Sequence, residues 1–221
     1  MSDSITSTVE AYLEAIFELD EIGERVTQAR LARWFQVSPP ATSEVVHRIQ
    51  KLELLELTDD RSIVLTEEGR KLAETMAGRH RTIERYLVDV MGVPWYLADE
   101  ETRKIEPGVS ELVFERMRAQ LGDANRCPHG NPIPGAPAVA AVELLSMDEV
   151  EPGSTMRIDR IREDLELDLD MLRYLQDHDL LPGREITVAD RDPEGAVTVR
   201  REDHVVAVGP SIASHVLCAP A

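Results

Sequence analysis

The stretch from Thr27 to Leu65 constrains this chain more than any other feature. Thr27 is placed to cap a helix over residues 28–35, with Leu31, Ala32 and Phe35 on its apolar face. A short polar turn, Gln36-Val37-Ser38, follows. Ser38-Pro39-Pro40 then opens a second helix reaching to about residue 52, because serine suits the N-cap and proline the first helical position. Val45, Val46, Ile49 and Leu52 would face inward. Two apolar runs, 54–57 and 63–65, flank the turn Asp59-Asp60-Arg61-Ser62 and read as a hairpin. Helix, tight turn, helix, hairpin is the order of a winged helix-turn-helix.

The rest of the chain arranges itself around that unit. Residues 5–20 form an amphipathic pattern, with Val9, Tyr12, Leu13, Ile16 and Phe17 on one face. Thr66 caps a long helix over 67–91, ended by Gly92. Helices over 98–106 and 110–121 follow, broken at Pro107-Gly108. Val109, Leu112, Val113, Met117 and Leu121 make an apolar stripe that reads as an internal core, a dimer seam, or both. Residues 127–138, rich in proline and glycine, mark a domain boundary. Beyond them come a helix over 169–178 and β-like runs at 185–189, 197–200, 204–208 and 216–218, as in a small SH3-like barrel. The expected class is mainly α with a small β component. Its parts are a winged helix-turn-helix over 1–72, a helical dimerisation and metal-binding segment over 73–138, and an SH3-like β-barrel over 139–221.

Charge narrows the function. The net charge is −18, awkward for a DNA binder, but its distribution decides the matter. Residues 24–71 hold eight Lys or Arg and eight Asp or Glu, so the candidate DNA segment is neutral while the acidity lies on either side. Only Lys51, Lys71 and Lys104 are lysines. An acidic, arginine-rich chain of this kind fits a high-salt setting, where the Debye length falls to about 3 Å, or simply an acidic proteome. No apolar run reaches the roughly 18 residues of a membrane span. The polar start, Met1-Ser2-Asp3-Ser4, is not expected to act as a targeting signal. A cytoplasmic protein is expected. No nucleophile–base pair or cofactor loop points to an enzyme.

The helix from Pro39 would enter the major groove. Ser38, Thr42, Ser43, Glu44, His47, Arg48 and Lys51 are its candidate DNA-facing residues, with Arg61 at the wing tip. So few basic groups imply a dimer on two half-sites. The alternative is a winged helix that binds protein rather than DNA.

His80 and Glu84 are four apart on the long helix and share a face, a spacing that also suits an ordinary solvated pair. Cys127-Pro-His129 shifts that balance, since the proline stiffens a turn able to project a thiolate and an imidazole to one side. Sulfur, nitrogen and carboxylate donors together suit a transition metal.

These features together resemble the diphtheria-toxin-repressor-like family of iron- and manganese-dependent regulators. The matching stretches are 9–20, 31–57 with Asp60-Arg61-Ser62, Arg79-His80-Arg81 with Glu84-Arg85, and His129-Gly-Asn-Pro-Ile-Pro-Gly135. The resemblance implies a homodimer that binds a palindromic operator in double-stranded DNA when Fe²⁺ or Mn²⁺ is loaded. It implies a metal site at His80, Glu84, Cys127 and His129, completed by a carboxylate of the C-terminal domain, here Asp168 or, in its place, Asp170. Asp99 lies near as an extra ligand. It also implies a second site built from position 11, Glu14, position 103, Glu106 and position 107. Ala11, Arg103 and Pro107 leave that second site degenerate, because none of the three offers a metal donor. Arg103 would then either pair with Glu14 and Glu106 in place of a cation or simply face solvent. Three readings follow: a metal-dependent repressor of metal-uptake genes, a metal-independent regulator locked by Arg103, and a protein-interaction or metal-buffering module.

Overall fold

The computed structural model describes residues 5–140, 142–202 and 204–221. The polar start read at residues 1–4 lies outside them. The chain divides into two compact units, Met1–Arg79 and His80–Ala221.

The first unit holds α1 (Ser7–Glu21), α2 (Gln28–Trp34), α3 (Pro39–Lys51) and the hairpin β1 (Leu55–Leu57) and β2 (Ile63–Leu65), paired Leu55 to Leu65. Thr27 caps α2 by accepting from the Arg30 amide at 3.2 Å, as its position predicts. Thr66 accepts from the Gly69 amide at 3.1 Å, and its hydroxyl donates to the Glu53 carbonyl at 2.8 Å. Those two hydrogen bonds tie the start of α4 (Glu67–Asp89) to the hairpin. Leu13, Ile16, Leu31, Val46, Ile49 and Leu55 are buried in this unit's core. At the wing tip Asp60 accepts from the Thr58 hydroxyl at 2.5 Å and the Ser62 amide at 3.2 Å. Arg25 grips the same turn from outside, with Ser62 Oγ at 2.7 Å and Asp60 Oδ2 at 2.9 Å.

In the second unit, entered along α4, α5 (Ala98–Ile105) and α6 (Glu111–Leu121) come next. The loop from Arg126 follows. The C-terminal part is a six-stranded antiparallel sheet in the order β3-β8-β4-β5-β6-β7. Its strands are β3 (Leu145–Ser146), β4 (Thr155–Ile161), β5 (Glu185–Arg191), β6 (Val197–Arg201), β7 (His204–Val208) and β8 (Val216–Pro220). The short helices α7 (Glu163–Glu166), α8 (Leu169–Asp177) and α9 (Pro210–Ala213) accompany it. Ile158, Ile161, Leu172, Val188, Val199 and Val216 sit at the centre of its core.

Strand β4, which crosses the middle of the sheet, is absent from the sequence reading. A register shift between Ile158 and Arg160 breaks its alternation, and Asp159 turns a charge inward. The apolar stripe on α6 is not an internal core: α6 buries none of its residues, and Leu112 is 69 % exposed.

Candidate metal centre and nucleic-acid interface

The loop carrying Cys127 and His129 is shaped by its own backbone. The Cys127 amide donates to Asn131 O at 2.8 Å, and the Gly130 amide donates to Cys127 O at 3.0 Å. Gly130 has φ +92°, and a Cβ there would lie 2.2 Å from Asp159 O, so only glycine fits between loop and β4. The Ile161 amide donates to His129 O at 2.8 Å, which fastens the loop to the end of β4. Arg126 reinforces that join through both Asp159 oxygens, at 3.1 and 3.2 Å.

Glu84 of α4, Cys127 and His129 converge, with ligand atoms all within 4.8 Å of one another, and all three are buried. The fourth member is Glu166 at the end of α7. His129 Nδ1 is 3.4 Å from Glu84 Oε1 and 2.9 Å from Glu166 Oε2. These contacts are off the hydrogen-bond line. Both Glu84 oxygens, His129 Nδ1 and Glu166 Oε2 are buried without any hydrogen-bond partner. Buried polar atoms almost always have partners, so four orphans gathered around His129 call for a ligand. Sulfur, nitrogen and two carboxylates are a donor set for a divalent transition metal, and the residues fit one.

The surroundings orient these donors. His129 Nε2 faces the Trp95 carbonyl at 3.3 Å, which assigns the ring proton to Nε2 and turns Nδ1 toward the cluster when the ring is neutral. The Trp95 ring stands edge-on to His129 at 4.7 Å, and its Nε1 donates to Pro128 O at 2.8 Å. Asn131 Nδ2 donates to Glu166 Oε1 at 3.1 Å and to Ile161 O at 3.0 Å, leaving Oε2 inward.

Protonation follows from this packing. Burial opposes charge on Glu84, but His129 and His80 reverse that and hold its carboxyl below the usual range. Burial, then the Glu163 charge, pushes Glu166 well above it. Burial and the Glu84 charge push the Cys127 thiol up to about 12. Burial alone would lower His129; Glu166, Cys127 and Glu84 outweigh it and hold the imidazole well above its ordinary value. Without an ion, the cluster keeps protons on His129 and Cys127.

His80 stands next door in a second group with Glu84 and Asp99. Its Nδ1 faces Glu106 Oε2 at 3.0 Å and its Nε2 faces Asp99 Oδ1 at 3.2 Å. Arg103 Nε donates to both Asp99 oxygens at 2.9 Å. Arg103 thus grips Asp99 one turn back on its own helix. Ala11 and Glu14 lie on α1 in the other unit, and Pro107 falls in the single 3₁₀ turn after α5.

Asp168 does not join the cluster, which corrects the expectation placed on it. It is exposed, and its carboxylate caps α8 by accepting from the Asp170 and Met171 amides at 3.1 Å. Asp170 is exposed as well. Sequence reasoning missed Glu163, Glu166, Asn131 and Trp95. One signal was legible, since an aspartate directly before a helix starting at Leu169 is spoken for as its cap.

On the recognition helix, Glu44, His47 and Lys51 are exposed, Ser43 and Arg48 half-buried. Arg61 is exposed at the wing tip with φ +64°. His47 Nδ1 is occupied by Ser43 O at 2.6 Å. Thr42 is a correction: it is fully buried and accepts from the Tyr12 hydroxyl at 3.4 Å, so it packs α3 onto α1 and faces no groove. Ser38 holds the N-cap position of α3, exposed and without a side-chain capping bond.

A winged-helix unit and a buried S/N/O cluster in a second unit define a metal-dependent DNA-binding regulator. The family models agree along nearly the whole chain: the iron dependent repressor N-terminal DNA binding domain over residues 4–63, the iron dependent repressor metal binding and dimerisation domain over 66–135, and the FeoA domain over 145–220. The chain belongs to the iron-dependent repressor family. It is 33 % identical to the iron-dependent repressor IdeR of Mycobacterium tuberculosis over 207 residues, covering 89 % of this chain and 90 % of that one. It is 32 % identical to the diphtheria toxin repressor of Corynebacterium diphtheriae, over 85 % and 87 % of the two chains. Among solved structures, T. acidophilum IdeR superposes with TM-score 0.78 at 29 % identity, over 99 % of each chain. A manganese-dependent transcriptional repressor in complex with manganese gives 0.85 at 27 % identity, over 96 % of this chain and 100 % of that one.

Proposed function

We propose that this chain is a transcriptional repressor that binds its operator as a homodimer when Fe²⁺ or Mn²⁺ is held by Glu84, Cys127, His129 and Glu166. The observation that carries the site is the set of four buried, unpartnered donor atoms on Glu84, His129 and Glu166. A bound ion supplies the positive charge those donors lack and joins α4, the Cys127 loop and α7. Glu84 binds from α4, a helix whose first turn is tied to the hairpin through Thr66. His129 is oriented by Trp95, and Glu166 by Asn131. Cys127 gives up its proton as it binds. Fixing Glu84 bears on the helix that leads out of the DNA-reading unit. Two recognition helices must match successive major grooves about 34 Å apart, and a coupling of about 1–3 kcal/mol suffices for control.

The working division is residues 1–72 for DNA, 73–138 for dimerisation and metal, and 139–221 for the FeoA-like part. On DNA, Ser38, Ser43, Glu44, His47, Arg48, Lys51 and Arg61 face the duplex. The regulated genes are those of metal uptake, since a repressor that reads the metal closes a feedback loop, and the protein acts in the cytoplasm. Among the described residues no helix is long and apolar enough to cross a membrane.

The test is a mobility shift on genomic fragments with Mn²⁺, with chelator, and with the Glu166→Gln variant. Operator binding that needs Mn²⁺ and is lost in Glu166→Gln is the expected result. Equal binding in all three conditions would overturn the reading.

A further inference from the structure

The two donor groups share Glu84 yet differ in one respect. In the first group four donor atoms have no hydrogen-bond partner. In the second, His80 and Asp99 are already engaged. His80 spends Nδ1 on Glu106 and Nε2 on Asp99, at 3.0 and 3.2 Å. Asp99 spends both oxygens on Arg103 Nε, each at 2.9 Å. A guanidinium cannot be deprotonated, so the charge stays wherever the side chain stays. Arg103 is exposed, with its side chain 43 % accessible, while Asp99 beneath it is 6 % exposed.

We propose that each chain holds a single ion, in the Glu84–Cys127–His129–Glu166 group, and that Arg103 acts as an internal cation that keeps a second ion out of the His80–Glu84–Asp99 group. This rests on the metal-centre reading above and adds a count and a gatekeeper to it. An ion seeking the second group would have to strip Asp99 from Arg103 and from His80, then sit beside a fixed positive charge. The first group must give up the protons of His129 and Cys127 but holds no fixed guanidinium charge among its donors. Replacing Arg103 by an uncharged residue leaves Asp99, beside His80 Nε2 and Glu84, with oxygens to spare, which is a latent cation site in the same fold.

The experiment counts metal on the full chain by equilibrium dialysis against Mn²⁺, with bound ion read by elemental analysis. Wild type and Asp99→Asn are each expected to bind one ion, Glu166→Gln to lose it, and Arg103→Gln to gain a second. Co²⁺ loading adds a readout of place, because a sulfur-to-metal absorption band reports Cys127 at the single wild-type site. Two ions on wild type, falling to one in Asp99→Asn, would overturn the proposal. So would a single ion lost in Asp99→Asn but kept in Glu166→Gln, or an Arg103→Gln protein that folds and still binds only one. Should Arg103→Gln fail to fold, the wild-type and Asp99→Asn counts decide the single-ion claim. Arg103→Lys, which keeps a cation, then tests the gatekeeper: its count stays at one if charge is what excludes the ion. No ion on wild type would instead sink the metal-centre reading itself.

Discussion

Arg81 is 1 % exposed and closes on Glu163 at 2.8 Å while donating to the Pro132 carbonyl at 2.6 Å. It thereby binds α4 to both the loop and α7, the three elements that supply the metal donors. Burial raises the Glu163 carboxyl, and the Arg81 charge opposes that. Removing one partner of such a pair strands the other, at a cost of about 3–5 kcal/mol. Arg81→Met should therefore lower stability by that order in urea melts. Arg81→Met with Glu163→Leu should recover much of the loss, because no buried charge is left over. A double variant as unstable as the single one would show that the pair is not what the site loses.

Asn131 touches no ion in this scheme, yet it fixes the outer oxygen of Glu166. Outer partners of metal ligands are worth about 10–100-fold in affinity. Asn131→Ala should weaken Mn²⁺ binding by that factor in a competition titration. Unchanged affinity would remove Glu166 from the ligand set.

Cys127 sets the preference among metals. Affinity at a mixed N/O/S site rises from Mn²⁺ through Fe²⁺ to Zn²⁺ in the usual order, and a thiolate steepens it. Cys127→Ser should cost Zn²⁺ and Fe²⁺ at least about tenfold, or about 1.4 kcal/mol, and Mn²⁺ less. Equal losses for all three ions would mean the sulfur does not coordinate.

The protonated cluster makes the metal-free protein sensitive to alkali. His129 is held above its ordinary value of 6.5. Its contribution to stability is therefore complete below that value and lost as pH rises through the raised one. Glu166, raised above 4.5, and Cys127, raised from 9.0 to about 12, act in the same direction. Glu84, held low, acts oppositely and only in acid. Thermal melts of metal-stripped protein should fall from about pH 7 to pH 9, by about 2–4 °C for each kcal/mol of stability removed. Melts of the loaded protein should not, since binding has already expelled those protons. Parallel curves for the two forms would contradict this.

On the DNA side, Lys51→Ala should weaken operator binding uniformly across sequences and shrink the salt slope by roughly one for each phosphate it no longer neutralises. Thr42→Val should leave that slope untouched and lower stability by about 1 kcal/mol, the usual worth of a hydrogen bond. A changed operator preference in Thr42→Val would put the residue back at the groove.

The sequence carried the winged helix well because each boundary had its own chemistry. Thr27 and Thr66 cap where their position predicts, and the hairpin runs pair as read. Thr42 escaped because a threonine on a polar-looking helix gives no local sign that Tyr12, thirty positions earlier, covers it. The metal centre was legible as far as its residues were close in sequence: the i,i+4 pair on α4 and the Cys-Pro-His turn. Its last donor was not, because the run from Glu163 to Asp170 offers several carboxylates with similar neighbours. Only the register between loop and β4 selects Glu166 from among them. Likewise nothing local told that His80 would turn from Cys127 toward Asp99 and Glu106.

Gly130 leaves a gap too narrow for a single carbon between the loop and Asp159. Every donor atom could be retained and the sensor still be lost, for a methyl group at that one position would lever His129 away from Glu84. Responsiveness to metal is in this sense guarded by an empty space as much as by the side chains that would touch the ion.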